Sequence, residues 1–195
     1  KTVLEKNKLD GIDLDFEWAE NEKEYKDYSL AILKMREVLG DKYLFSVSLH
    51  PVCYKISKEA IEAVDFISLQ CYGPSPVRFP IEKYCSDIQM VLEYGIPREK
   101  LVAGVPFYGV TKDNSKKTEA YFNFVQNGLV TSPAQNEVIY QGDTYVFDGQ
   151  DNIRIKTRYA KEQKLKGMMS WDLATDLPLS DSRSLLKTMT EELRE

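Results

Sequence analysis

Apolar and polar positions divide the chain into short apolar runs and longer amphipathic segments. Apolar residues at helical spacing predict helices from Glu22 to Leu39 and from Ile81 to Tyr94, and each is followed by a glycine suited to end a helix, Gly40 and Gly95. The short apolar runs predict buried strands at Tyr43 to Leu49, Phe66 to Tyr72, Leu101 to Tyr108 and Met168 to Trp171.

Three further helices follow from the same reading. A short helix from Lys58 to Val64 has Ser57 as its predicted N-cap. A basic helix from Asn152 to Lys166 is predicted to end at Gly167, with its charged run solvated, and a final helix runs from Ser182 to Leu193.

The segment from Thr111 to Gly149 differs in kind, because it is polar and then aromatic. Two short apolar runs around Gln141-Gly142-Asp143 predict a β-hairpin. The aromatic run from Tyr121 to Phe124 fits either a small core or a wall on which sugars stack.

Strands that alternate with helices predict a parallel sheet within a single domain spanning residues 1–195. Catalytic residues of parallel barrels lie at the carboxyl ends of the strands. Five strand ends carry polar or aromatic side chains there: Glu17, His50, Tyr72, Tyr108 and Trp171.

The stretch from Leu9 to Trp18 carries the strongest chemical signal. Asp13, Asp15 and Glu17 alternate with apolar residues, so a strand would place all three on one face, with about 6.5–7 Å between successive side chains. Carboxylates this close raise one another's pKa, and acid-assisted bond cleavage needs one protonated carboxyl beside ionised ones. A solvated acidic strand end or a cation site is the alternative.

These acids also carry a resemblance. Asp10-x-x-Asp13-x-Asp15-x-Glu17 resembles the D-x-x-D-x-D-x-E signature of glycoside hydrolase family 18, the chitinase-like and endo-β-N-acetylglucosaminidase-like enzymes. The resemblance implies an α/β fold, the (β/α)8 TIM barrel, with the signature on its fourth strand. Strands four to eight would then be present with their helices, and residues 111–150 would form a reduced α+β insertion between strands seven and eight. A piece of a longer protein is the preferred interpretation, and an open five-stranded sheet is the alternative.

Three later segments extend the resemblance. Residues 64–73 are similar to the sixth strand of the family, although Gln70 stands where a Met is usual and Gly73 where an Asp is usual. Residues 101–109 resemble the seventh strand, and residues 166–172 resemble the eighth, whose Trp171 would floor the sugar pocket. The Gly73 replacement removes a carboxylate and puts chitin itself in doubt as the substrate.

The resemblance implies retaining hydrolysis of β-1,4-linked N-acetylglucosamine glycans, assisted by the substrate's own acetamido group. Glu17 would be the general acid and base, Asp15 would hold the acetamido group, and Asp13 would share a proton with Asp15. The other implied site residues are Tyr72, which would hydrogen-bond the acetamido carbonyl, and the substrate-binding Trp171, Tyr108 and Gln70.

Several of these residues, and the function itself, have alternative interpretations. Tyr72, Tyr108 and Trp171 could be core residues, and the single histidine, His50, is expected to be packed or solvated rather than catalytic. A chitooligosaccharide-binding lectin on the same fold is the second function, but lectin members usually lose the acid that Glu17 retains. A structural, cation-binding domain ranks third. Peptidoglycan and the chitobiose core of N-glycans present the same acetamido group as chitin.

Composition narrows the partners. A net charge of −5 over 195 residues argues against nucleic acid and anionic membranes, and no apolar run reaches the length of a membrane span. Cys53, Cys71 and Cys85 are predicted to be buried thiols rather than disulfides or zinc ligands. No metal or cofactor is expected. A polymeric glycan substrate implies an extracellular, periplasmic or cell-surface location. The sequence makes no prediction of the oligomeric state.

Overall fold

The computed structural model describes residues 1–113 and 115–194. Its helices are α1 (Thr2–Asn7), α2 (Glu22–Leu39), α3 (Lys58–Ala63), α4 (Ile81–Tyr94), α5 (Tyr121–Gln126), α6 (Gln150–Glu162) and α7 (Leu185–Arg194). Its strands are β1 (Gly11–Asp15), β2 (Leu44–Leu49), β3 (Phe66–Leu69), β4 (Leu101–Pro106), β5 (Tyr108–Thr111), β6 (Thr118–Ala120), β7 (Glu137–Tyr140), β8 (Asp143–Val146) and β9 (Gly167–Trp171).

Five strands form a parallel sheet in the order β1-β2-β3-β4-β9, as the alternating pattern predicts. Phe45, Val47, Ile67 and Leu69 on the inner strands are buried, because helices cover an α/β sheet on its outer face and side chains fill its inner face. The outermost strand β1 differs, since its Ile12 is 39% exposed. The arrangement is the partial (β/α) barrel that the sequence predicts.

A second, four-stranded antiparallel sheet, ordered β6-β5-β8-β7, lies between β4 and α6 in sequence. The predicted hairpin around Gly142 is confirmed as β7 and β8. Phe124 of α5 is fully buried, with its ring centroid 5.4 Å from those of Tyr145 and Phe147. The aromatic run therefore supplies a core for this small sheet, while its status as a separate insertion stays a prediction.

Local sequence explains the helix ends that were predicted correctly. Helix α2 begins after Asn21, whose side chain accepts a hydrogen bond from the Glu24 amide. Ser57 caps α3 in the same way by accepting from the Ala60 amide. Helix α4 ends at Gly95, which adopts a left-handed φ of 113° that favours glycine.

The basic helix was predicted wrongly in two respects. It runs from Gln150 to Glu162 rather than from Asn152 to Lys166, and the predicted cap, Gly167, instead begins β9. Lys164 adopts the left-handed conformation, with φ 55°. Its charged run is not fully solvated either, because Lys156 is fully buried and its Nζ lies 2.6 Å from Asp148 Oδ2. A buried charge is tolerated when it is paired.

Other boundaries also moved. The predicted strand from Leu101 to Tyr108 is two strands, because the chain leaves the parallel sheet at Phe107 and enters the antiparallel one. Helix α1 was not predicted, and α7 begins three residues later than expected. Two of the cysteines are buried free thiols as predicted, but Cys85 is only partly buried. Within residues 1–113 and 115–194, no helix is both long and apolar enough to cross a bilayer.

Candidate active site

The carboxyl ends of the parallel strands surround a pocket of about 230 Å³. Six of the seven predicted site residues line it, and Asp13 does not. The lining consists of Asp15, Glu17, Trp18, His50, Gln70, Tyr72, Gly73, Pro74, Tyr108 and Trp171.

Asp13 lies on β1, two residues before Asp15, and does not line the pocket. The parallel register pairs it with Ser46 of β2, and the serine hydroxyls of Ser46 and Ser48 donate to its two carboxylate oxygens at 2.5 and 2.8 Å. These two serines were not singled out from the sequence, although alternating serines in an otherwise apolar strand are a signal of a polar face. They hold the Asp13 carboxylate in a fixed orientation.

Asp15 is the last residue of β1 and faces the pocket. The Gln70 amide lies 3.3 Å from each Asp15 oxygen. Burial raises the pKa of the Asp15 carboxyl, and the negative charge of Glu17 raises it further, while the Gln70 hydrogen bond lowers it and Asp13 adds a smaller increase. Asp15 is therefore a carboxyl that holds a proton more readily than an isolated one.

Glu17 lies two residues beyond the end of β1, so it is not on the strand face where the sequence placed it. Its carboxyl still lines the pocket beside Asp15. The peptide bond between Glu17 and Trp18 is cis, and the Trp18 ring lies against the His50 ring with the centroids 4.6 Å apart.

Tyr72 follows β3 and reaches the pocket across β4. Its ring fits because residue 104 is glycine: a Cβ there would lie 2.9 Å from Tyr72 Cε1. The Tyr72 hydroxyl lies 3.6 Å from Met169 Sδ, a weak acceptor, so it can donate to a stronger one. Burial, followed by the nearby Tyr108 and Asp15, raises the pKa of Tyr72, which keeps the phenol protonated at neutral pH.

His50 lines the pocket and is packed, which is one of the two surroundings that the sequence predicts for it. It is 7% exposed, and it is hydrogen-bonded through both ring nitrogens. The Val52 amide donates to Nδ1 at 3.2 Å, which leaves Nε2 as the protonated nitrogen that donates to the Tyr72 carbonyl at 3.1 Å. Burial and the charge of Arg78 lower the pKa of His50 to about 4, so the ring is neutral above that pH.

Trp171 ends β9 and is 56% exposed, which is unusual for a core tryptophan. A second cavity of about 300 Å³ shares Trp171, Tyr108 and Pro74 with the first. Glu119 and Asp172 are among its other lining residues. Trp171 thus offers an exposed aromatic ring that lines both cavities.

The electrostatic character of the two cavities is acidic. Among the described residues that line them there is no lysine or arginine. Across the described part of the chain, no group of three or more histidine, cysteine or acidic side chains is placed to hold a metal ion. The polar side chains of the site include carboxyl, amide and phenol groups, which suit proton transfer and hydrogen bonding to a neutral ligand.

Comparisons with known proteins show which family and which folds this chain is similar to. A sequence model of glycosyl hydrolases family 18 matches residues 1–176. "Probable chitinase 2" of Drosophila melanogaster is 23% identical over 239 residues, covering 90% of this chain and 49% of the fly protein.

Solved structures show the same fold. The GH18 chitinase ChiB from the chitin utilization locus of Flavobacterium johnsoniae has a TM-score of 0.79 and 27% identity, covering 98% of this chain and 62% of that one. A mutant class V chitinase from Nicotiana tobaccum in complex with NAG4 has a TM-score of 0.76 and 17% identity, covering 98% and 70%.

The chain spans about half the length of the fly relative and less than two thirds of the Flavobacterium chitinase. The family match nevertheless runs through both sheets and includes every residue of the pocket. This chain belongs to glycosyl hydrolases family 18.

Proposed function

We propose that the protein containing this chain is a retaining glycosidase that cleaves β-1,4-linked N-acetylglucosamine glycans with assistance from the substrate's acetamido group. The observation that carries the proposal is the convergence of Asp15, Glu17, Gln70 and Tyr72 beside the exposed ring of Trp171. Acid, hydrogen-bond donors and an aromatic platform are the groups that this reaction needs.

Glu17 acts first as the general acid. It donates its proton to the glycosidic oxygen as the bond to the anomeric carbon breaks, and the acetamido carbonyl oxygen forms a bond to that carbon. The resulting oxazolinium ion is hydrolysed by water, whose proton returns to the Glu17 carboxylate. Glu17 lines the pocket beside Asp15, where substrate and water can reach it.

Asp15 holds and orients the acetamido nitrogen, and its charge balances the developing positive charge. The raised pKa of Asp15, caused by burial and by Glu17, supports a proton shared between Asp15 and Asp13 during the cycle. Gln70, which already donates to both Asp15 oxygens, fixes that carboxyl's orientation. The Tyr72 hydroxyl donates a hydrogen bond to the acetamido carbonyl in place of the Met169 sulfur.

Trp171 stacks on the apolar face of the sugar at the cleavage point, and Tyr108 borders the same sugar. The adjoining cavity that shares Trp171 takes the next sugar of the chain. The absence of lysine and arginine from the described lining of both cavities favours a neutral glycan, such as chitooligosaccharide or the chitobiose core, over the anionic muramyl chain of peptidoglycan. Such polymers are met outside the cytoplasm, so we propose an extracellular, periplasmic or cell-surface location.

The test is hydrolysis of 4-methylumbelliferyl N,N′-diacetylchitobioside by the full-length protein, wild type beside Glu17→Gln. The variant keeps the size and hydrogen bonding of the side chain but cannot donate the proton. Turnover is expected to fall by at least 100-fold while substrate binding persists. A wild type that binds chitooligosaccharide without cleaving it would instead establish the lectin, and a Glu17→Gln variant that matches wild type would refute the role of Glu17.

A further inference from the structure

The segment that carries Glu17 contains one buried residue. Of residues 15–23, all are exposed except Ala19, which is 2% exposed. Exposed backbone between a strand and a helix is mobile unless something anchors it. An acid that must lie within hydrogen-bond reach of the glycosidic oxygen needs such an anchor close by.

The anchor is a thiol from another part of the chain. The Ala19 amide donates a hydrogen bond to Cys53 Sγ at 3.2 Å, and Cys53 is 1% exposed. The two residues are 34 positions apart in sequence, so this contact joins the segment after β1 to the segment after β2. Because a buried amide without an acceptor is costly, the contact constrains the backbone two residues beyond Glu17.

Cys53 is itself held rigidly. It forms an antiparallel bridge with His50, in which the Cys53 amide donates to the His50 carbonyl at 2.7 Å and the His50 amide donates back at 3.3 Å. The His50 ring supports the Trp18 ring from the same turn. Both residues that follow Glu17 are therefore seated on the turn formed by residues 50–53.

We propose that Cys53 is a positioning residue for the general acid, acting through the Ala19 amide to fix the backbone of Glu17. The inference rests on the proposed function of Glu17. Sulfur suits the task because its longer bond to Cβ brings the acceptor closer to the Ala19 amide than a serine oxygen would lie, so a serine would keep the contact only in part. Cys53 touches no substrate in this role.

The test compares Cys53→Ala and Cys53→Ser with wild type in the full-length protein. Cys85→Ala, which removes a partly buried thiol from α4, is the matched control. Cys53→Ala is expected to lower kcat by roughly 10- to 100-fold with KM changed less than about twofold, because the acid is misplaced while the sugar-binding residues stay. Cys53→Ser is expected to recover part of kcat, and Cys85→Ala to match wild type.

Hydrogen exchange of the Ala19 amide gives a second readout that needs no catalysis. The amide is expected to be protected in wild type, partly protected in Cys53→Ser and unprotected in Cys53→Ala. An unchanged kcat in Cys53→Ala, or a serine variant no better than alanine in both measurements, would overturn the inference. If wild type cleaves no substrate, the proposed function fails, and unchanged Ala19 protection in Cys53→Ala would then overturn the inference as well.

Discussion

The single histidine, His50, is predicted to make the free energy of unfolding depend on pH. His50 accepts a hydrogen bond from the Val52 amide at Nδ1, so protonation of that nitrogen must break the contact. Burial and Arg78 lower the pKa of His50 to about 4 from a usual value of 6.5. Between pH 6.5 and pH 4 the His50 imidazole therefore binds a proton in the unfolded chain but not in the folded protein. The folded state loses stability as the pH falls through this range.

The magnitude follows from the linkage between proton uptake and folding. Each pH unit inside this window costs about 1.4 kcal/mol of unfolding free energy. Between pH 7 and pH 5, roughly 1.5 pH units lie below the usual imidazole pKa, so the free energy of unfolding falls by about 2 kcal/mol. No other histidine contributes, since the chain contains one.

The assay is urea denaturation at pH 7, 6 and 5, for wild type and for His50→Gln. Glutamine cannot titrate, so the carboxylates common to both proteins cancel in the difference between them. Wild type is expected to lose about 2 kcal/mol more than the variant between pH 7 and pH 5. Parallel losses in the two proteins would refute the assignment of His50 as a buried neutral imidazole.

Two further substitutions test the packing that supports the site. Lys156→Ala is expected to lower the free energy of unfolding, measured by urea denaturation, by about 3–5 kcal/mol, because it leaves the fully buried Asp148 carboxylate without its cation. Lys34→Ala breaks an exposed pair of the same 2.6 Å length and should lower it by less than about 1 kcal/mol. Equal losses in the two variants would contradict the burial of the Lys156–Asp148 pair. Gly104→Ala is expected to lower kcat and stability, by about 1–3 kcal/mol, because the added carbon overlaps the pocket tyrosine, while Gly167→Ala adds its carbon to open space and should do neither. Steady-state kinetics and thermal unfolding of both variants check this, and a Gly104→Ala protein that behaves like wild type would refute it.

The helices were the most predictable part of the fold. The observed bounds of α2 and α4 equal the predicted ones, because amphipathic spacing and a terminal glycine are both written locally in the sequence. The end of α6 was missed because Lys164, rather than a glycine, takes the left-handed conformation beyond it. The burial of Lys156 was missed because its partner, Asp148, lies outside the helix and is brought close by the fold.

Site residues that belong to a local sequence motif could be predicted from the sequence. Residues that join the site through contacts between distant segments could not. The acidic residues of β1 and the tryptophan of β9 were identified from spacing and resemblance. Ser46 and Ser48 were not, since their meaning depends on the parallel register that pairs β2 with β1. His50 was noted at a strand end, but only the fold reveals its hydrogen bonds to Val52 and Tyr72.

In the proposed mechanism the substrate's acetamido group performs the first of two displacements at the anomeric carbon, and Glu17 supplies the proton. Proton NMR of chitooligosaccharide hydrolysis by the full-length protein tests for the two displacements, because together they preserve the anomeric configuration. We expect the β-anomer of the new reducing end to form first and then to mutarotate. Initial formation of the α-anomer would show a single displacement by water and would contradict the mechanism.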